Sequence, residues 1–194
     1  MNNKIIALKE LAAKIEQDKN LPLKESNLVF GEGSPEADIL LIGEAPGLNE
    51  DLEKRPFVGR SGKLLTATIE ELGIKRAEVY ITNIVKRRPP ANRDPLPEEI
   101  EIYKPYLKEQ IAIINPKVIV TLGRFSMNYF LPTAKITRDQ GKIFKVDGRL
   151  IVPMFHPAAA LRSTGTLNEF KKSFKKLPRI IDKYNDLITE NNAN

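Results

Sequence analysis

Four short apolar runs rich in β-branched residues, Ile39 to Ile42, Val79 to Val85, Val118 to Leu122 and Leu150 to Phe155, punctuate this chain, and a helical pattern separates each from the next. Each run has the length of a strand, and the alternation means a parallel sheet, because parallel neighbours need long crossovers. The crossover helices are expected over Gly62 to Leu72, Pro97 to Ile114 and Arg124 to Phe130. An N-terminal helix ends near Asp18, with Ile5, Leu8, Leu11, Ala12 and Ile15 on one face, and a loop follows to about Pro35. A last helix, from about Asn168 to Ile188, is packed by Phe170, Phe174, Leu177 and Ile181, and Pro178 must kink or interrupt it. The expected fold is α/β, three layers in αβα order around a central four-stranded parallel sheet.

With 194 residues the chain is read as a single domain over 1–194, since domains usually run to about 100 to 200 residues. It has no cysteine and one histidine, which excludes disulfides, thiolate metal sites, thiol nucleophiles and multi-histidine metal sites. No apolar stretch approaches the roughly 20 residues that span a bilayer, and the first 19 residues carry charges throughout, so the protein is expected to be soluble, unprocessed and cytoplasmic. A formal charge of +6 suits a polyanionic partner without requiring one. The cluster of Lys171, Lys172, Lys175 and Lys176 lies opposite an apolar stripe and reads as a solvated helix face.

Ligands of open parallel sheets gather beyond the carboxyl ends of the strands, so the loops after Ile42, Val85, Leu122 and Phe155 should converge. After the first strand come Gly43, Glu44, Ala45, Pro46 and Gly47, then Glu50 and Asp51, and then Arg55-Pro56-Phe57-Val58-Gly59-Arg60-Ser61-Gly62-Lys63 leading into a helix. Small residues allow close backbone approach, and Ser61 with Gly62 at a helix start offers donors to a phosphate. The order GxxxxGK[ST] of a P-loop is not met. After the second strand Asn83 precedes the basic, proline-stiffened Lys86-Arg87-Arg88-Pro89-Pro90-Ala91-Asn92-Arg93-Asp94-Pro95, and a carboxamide there can donate to and accept from a base edge at once. The only histidine, His156, follows the fourth strand in Phe155-His156-Pro157-Ala158-Ala159-Ala160-Leu161-Arg162.

The motifs GEAPG, RPFVGRSGKLL, VYITNIVKRRPPANRDPLPEEI, PKVIVTLGR and FHPAAALR, in this order between about Leu28 and Lys176, resemble those of the iron-sulfur (family 4) uracil-DNA glycosylases. The resemblance implies a uracil-DNA glycosylase-like fold and hydrolysis of the N-glycosidic bond of uracil in single- or double-stranded DNA, in base excision repair, after the base is flipped out of the stack. It implies that Phe57 stacks on the uracil, Asn83 reads its O4 and N3–H, and His156 donates to the charge developing on O2, with Gly43 and Ala45 also at the substrate. Glu44 and Glu50 are the carboxylates for the sugar cation or the attacking water; Glu44 opens the first loop, and Glu50 is alternatively a limit on the room at uracil C5. Ala45 stands where the best-known members of the superfamily carry an aspartate. Leu161 and Arg162 are expected to wedge into the duplex, and Ser61, Gly62, Lys63, Arg87 and Arg88 to meet phosphates.

One departure from the resembled family is large. Its four cluster cysteines align with Asp18, Leu21, Arg87 and Tyr103 here, so no iron-sulfur cluster and no other metal is expected. In place of the cluster, Asp18 or a nearby acid such as Glu16 is expected to pair with Arg87, while Leu21 and Tyr103 fill the volume. The protein is read as a monomer acting on DNA with no membrane partner. The alternative is a non-catalytic or altered-specificity relative that recognises uracil or another deaminated base.

Overall fold

The structure is a computed structural model that describes residues 3–189. Its strands are β1 (Glu32–Gly33), β2 (Ile39–Gly43), β3 (Tyr80–Asn83), β4 (Val118–Leu122), β5 (Phe144–Val146) and β6 (Arg149–Met154), joined in one sheet of order β1-β3-β2-β4-β6-β5. The four expected strands, β3, β2, β4 and β6, pair in parallel at its centre, and β1 and β5 close the two edges antiparallel. The sheet is therefore six-stranded and mixed, not four-stranded. At two and three residues the edge strands are too short to show an alternating pattern.

The helices are α1 (Asn3–Gln17), α2 (Leu48–Glu53), α3 (Arg60–Glu70), α4 (Pro97–Ile114), α5 (Arg124–Phe130), α6 (Ile136–Asp139), α7 (Pro157–Ala160), α8 (Thr164–Phe174), α9 (Leu177–Asp182) and α10 (Tyr184–Thr189). The single last helix expected from the apolar stripe is divided into α8, α9 and α10. Pro178 sits in the first turn of α9, where a residue without an N–H costs nothing, and a continuous helix would have lacked a bond there.

Strand residues alternate between two cores. Ile39 and Leu41 of β2 join Val118 and Val120 against α3, α8 and α9, where Leu65, Ile69, Phe170, Phe174 and Ile180 are buried. Leu40, Ile42 and Ile119 face the other way, against Leu11 and Ile15 of α1 and Tyr103, Leu107, Ile111 and Ile114 of α4. Each such aliphatic side chain contributes about 1.5 to 3 kcal/mol on leaving water, which is why the strands read as unbroken apolar runs. The strand order reverses between β2 and β4, so the loops after them part and leave a crevice at the carboxyl edge of the sheet.

Candidate active site

β2 ends at Gly43, where a Cβ would fall 2.4 Å from Asn83 Oδ1 and 2.5 Å from the Phe57 ring, so only glycine lets these two side chains close over the strand end. Phe57 is buried and held in the left-handed region at φ 52°, a strained conformation for an aromatic residue. Glu50 supplies the restraint. One carboxylate oxygen accepts from the N–H groups of Val58 at 2.9 Å and Gly59 at 2.8 Å, and the other from Gly47 at 3.2 Å. Gly62 completes the turn, since a Cβ there would lie 1.9 Å from the Phe57 carbonyl oxygen; α3 can start hard against the Phe57 turn only because that atom is absent.

Phe57, Asn83 and His156 line one cleft of about 240 Å³ together with Ala45, Gly47, Glu50, Ser61, Asn92 and Ala158. Asn83 is 2 % exposed, and its Oδ1 has no hydrogen-bond partner among the described residues. An unpaired buried carbonyl costs about 1 to 3 kcal/mol, so an acceptor left open at the base of a cleft is a place for a ligand N–H. His156 caps α7, its Nδ1 accepting from the Ala158 N–H at 3.1 Å, which leaves the proton of the neutral ring on Nε2. Desolvation pushes its pKa down to about 4, against the attraction of Glu50, so the ring is a neutral donor at physiological pH. Its centroid lies 5.8 Å from that of Phe57, with the planes tilted by 33°.

Glu44 stands at the reversal of strand order. It follows β2 and accepts from the N–H of Phe125, which follows β4, at 3.1 Å. Gly123, at φ 99°, makes room: a Cβ there would be 2.4 Å from the Glu44 carboxylate and 3.2 Å from His156 Cβ. Burial, with the charge of Asp94, pushes the Glu44 carboxyl up to about 7, although the bond from Phe125 opposes the shift. Glu44 lies beside the cleft and is not one of the residues lining it.

The residues expected at DNA divide. Lys63 and Arg162 are exposed, and Leu161 at 43 % is one of the large apolar side chains left to solvent. Ser61 lines the cleft and Gly62 is buried beneath it. Arg88 is partly buried and donates at 2.6 Å to Oδ1 of Asn92, a cleft residue that no sequence pattern marks, which ties the basic charge to the cleft. Arg87 is a correction: at 4 % exposure it turns inward, so it does not present its charge to a phosphate.

The profile of the uracil DNA glycosylase superfamily matches residues 30–178, which take in every side chain named at the cleft. The chain belongs to the uracil-DNA glycosylase superfamily. Type-4 uracil-DNA glycosylases are similar to it along most of its length: that of Sulfurisphaera tokodaii is 49% identical over 78% of this chain and 74% of its own. The type-4 enzyme of Archaeoglobus fulgidus is 42% identical over 82% and 84%, and that of Saccharolobus solfataricus 46% identical over 78% and 74%. Likeness of this extent places the glycosylase in the type-4 family, among the DNA N-glycosylase hydrolases.

The glycosylase does not fit an iron-sulfur cluster, for it has no cysteine, and among the described residues no group of three or more His, Asp or Glu is placed to hold a metal ion. The seam where the four aligned positions fall is filled by the chain itself. Arg87 pairs with Glu16 at 2.5 Å, not with Asp18, and also donates to the Ser26 carbonyl at 2.5 Å. Asp18 instead accepts from the Tyr106 hydroxyl. Leu21 and Tyr103 are buried as expected, and the Tyr103 hydroxyl donates to the Pro22 carbonyl at 3.0 Å. The backbone joins in: the Val29 N–H donates to the Lys86 carbonyl at 2.8 Å, fastening the loop before β1 to the loop after β3.

Proposed function

We propose that this glycosylase flips uracil out of DNA into the cleft between Phe57, Asn83 and His156 and hydrolyses its glycosidic bond with protein groups alone. The observation that carries the reading is the buried, unpartnered Asn83 Oδ1 facing a cleft that also holds an aromatic ring and a neutral imidazole donor. Uracil offers N3–H to that oxygen and O4 to the carboxamide N–H, whereas cytosine has no N3–H to give. The Phe57 ring supports the base on one face. As the C1′–N1 bond breaks, its electron pair leaves with the base, and the negative charge spread onto O2 is met by the His156 Nε2–H, which a dry site makes worth more than in water.

Water attacks C1′ of the cationic sugar and gives its proton to a carboxylate. Glu44 is assigned that role, because its raised pKa makes it a base poised near neutrality. Glu50 is assigned to the loop instead, its two oxygens being committed to three backbone N–H groups that hold Phe57. Lys63, Arg88 and Arg162 meet phosphates, Ser61 and Gly62 approach the strand at the start of α3, and Leu161 fills the space that the flipped base leaves. The cleft is complete within one chain, which supports a monomer acting on DNA; sizing in solution tests the oligomeric state. No helix among the described residues is long and apolar enough to cross a membrane.

The deciding experiment is release of free uracil from single- and double-stranded oligonucleotides with EDTA present. Release at an undiminished rate is expected. Activity only in an iron-loaded preparation would sink the metal-free reading, and binding of uracil-DNA without release would make the protein a recognition module.

A further inference from the structure

Among the described residues Lys86 is the most deeply buried charged side chain, at 0 % exposure, and the chemistry above leaves it unused. A lysine after a strand in a basic loop would ordinarily point to water. Here the side chain runs back along β3, and its Nζ lies 2.7 Å from the Asn83 carbonyl oxygen, 2.6 Å from Thr82 Oγ1 and 2.6 Å from Gln110 Oε1. None of the three is a carboxylate, so no ion pair offsets the several kcal/mol that burying an ammonium costs.

All three partners must accept. The single hydroxyl proton of Thr82 is directed to the Phe30 carbonyl at 2.8 Å or to Gln110 at 3.3 Å, not to the amine. Gln110 turns its oxygen to Lys86 because its amide nitrogen donates to the Phe30 carbonyl at 3.1 Å and faces the Tyr80 hydroxyl at 3.3 Å. Three acceptors around one nitrogen match the three protons of an ammonium, whereas a neutral amine would turn a lone pair on one of them. Burial lowers the proton affinity of Lys86 well below the ordinary lysine value; hydrogen bonds to three acceptors are the arrangement that favours the charged form.

The Asn83 carboxamide oxygen has no hydrogen-bond partner among the described residues, so apart from its packing over Gly43 the side chain depends on where the backbone at the end of β3 is held. We propose that Lys86 is a positioning residue for uracil recognition: its ammonium ties the end of β3 to α4 through Thr82, Asn83 and Gln110, and fixes the height at which the Asn83 carboxamide meets the base. The proposal rests on the base-reading role given to Asn83. It also explains why a glutamine stands on the apolar face of α4 between Leu107 and Ile111.

The test is Lys86→Met, an unbranched side chain one atom shorter that loses all three donors, read by single-turnover excision, by inhibition with free uracil and by affinity for uracil-free DNA. Uracil inhibition is expected to weaken by about tenfold or more and excision to slow by about 10- to 100-fold, with uracil-free DNA bound as before. A folded variant with the wild-type response to free uracil overturns the proposal, even if excision slows. Should Lys86→Met fail to fold, Thr82→Val removes one acceptor and retains the lysine; a weakening of uracil inhibition by about threefold or more is expected, and none overturns the proposal. Asn83→Ala is assayed alongside. If it excises uracil at the wild-type rate, the base-reading role itself has failed; if it is crippled while Lys86→Met is not, only the role of Lys86 has.

Discussion

The cleft and the seam behind it are built from neighbouring residues with opposite logic. At the cleft Asn83 leaves an acceptor open, Phe57 is held in a strained backbone conformation, and His156 and Glu44 are pushed away from their ordinary pKa values. Four residues on from Asn83, the two terminal nitrogens of Arg87 are bonded to Glu16 and Ser26, with only its Nε unpartnered among the described residues, and Tyr103 and Tyr106 each find a partner for the hydroxyl. Groups awaiting a ligand are costly to the fold; groups that close on each other fasten the end of α1 and the loop before β1 to the loop after β3 and to α4. The difference shows how a cleft can be held in a chain with no thiolate: the seam needs only to be rigid, and buried side chains and their hydrogen bonds supply that.

The largest expected effect is on the seam. Tyr103→Ala removes a fully buried ring and a hydrogen bond and should destabilise the fold by about 3 to 5 kcal/mol. Arg87→Ala should cost less, about 1.5 to 3 kcal/mol, because Glu16, 58 % exposed, returns to water when its partner is lost. Denaturant midpoints in the reverse order would mean that the ion pair, not packing, holds the seam. His156→Ala belongs to the other region and should do the opposite. Its chemical step should fall by about 10² to 10³-fold, some 2.7 to 4 kcal/mol of transition-state stabilisation, with melting little changed and uracil-DNA binding retained. A wild-type single-turnover rate in that variant would remove the histidine from catalysis.

A smaller effect separates the two carboxylates of the first loop. A base with a pKa of about 7 is effective only when deprotonated, so excision should rise with pH up to about 7 and fall by roughly tenfold per unit below it. His156, neutral down to about 4, adds nothing to that limb. In Glu44→Gln the rate should be low and flat across it; a preserved acid limb in that variant would point to another group. Smallest is the response to salt. Arg162→Ala should lower the slope of log K against log salt by about 0.9, the value of one phosphate contact, and Arg87→Ala should leave it unchanged. An equal loss in both would mean that Arg87 swings out to meet DNA.

The four central strands were legible because residues buried on both faces leave unbroken β-branched runs, and α4 and α5 were bounded as expected by Pro97 and by the glycine before Arg124. Asn83 and His156 were legible as residues at the carboxyl ends of strands, the place to which the topology directs ligands, whereas Phe57, beyond α2 in the loop before α3, was picked out by the motif resemblance, which gave all three their roles. The pairing of Arg87 with Glu16 was expected, but its burial was not, and nor was that of Lys86. Burial of a cation depends on partners far along the chain, Glu16 and Gln110, and no local pattern distinguishes an inward arginine from one facing a phosphate. One signal was available: Gln110 lies on the same helix face as Tyr103, Leu107 and Ile114, and a carboxamide in such a stripe needs a buried partner.

The two edge strands that no periodicity announced bear on how the protein behaves when crowded. An open sheet edge is a template for another chain, and long flat edges lead to aggregates. Here β1 offers two residues, one of them Glu32, and β5 three, with Lys145 at their centre. Each edge carries a charge and too few free backbone groups to recruit a stranger's strand. The central strands, apolar enough to drive amyloid-like stacking if laid bare, are thereby shielded at high concentration.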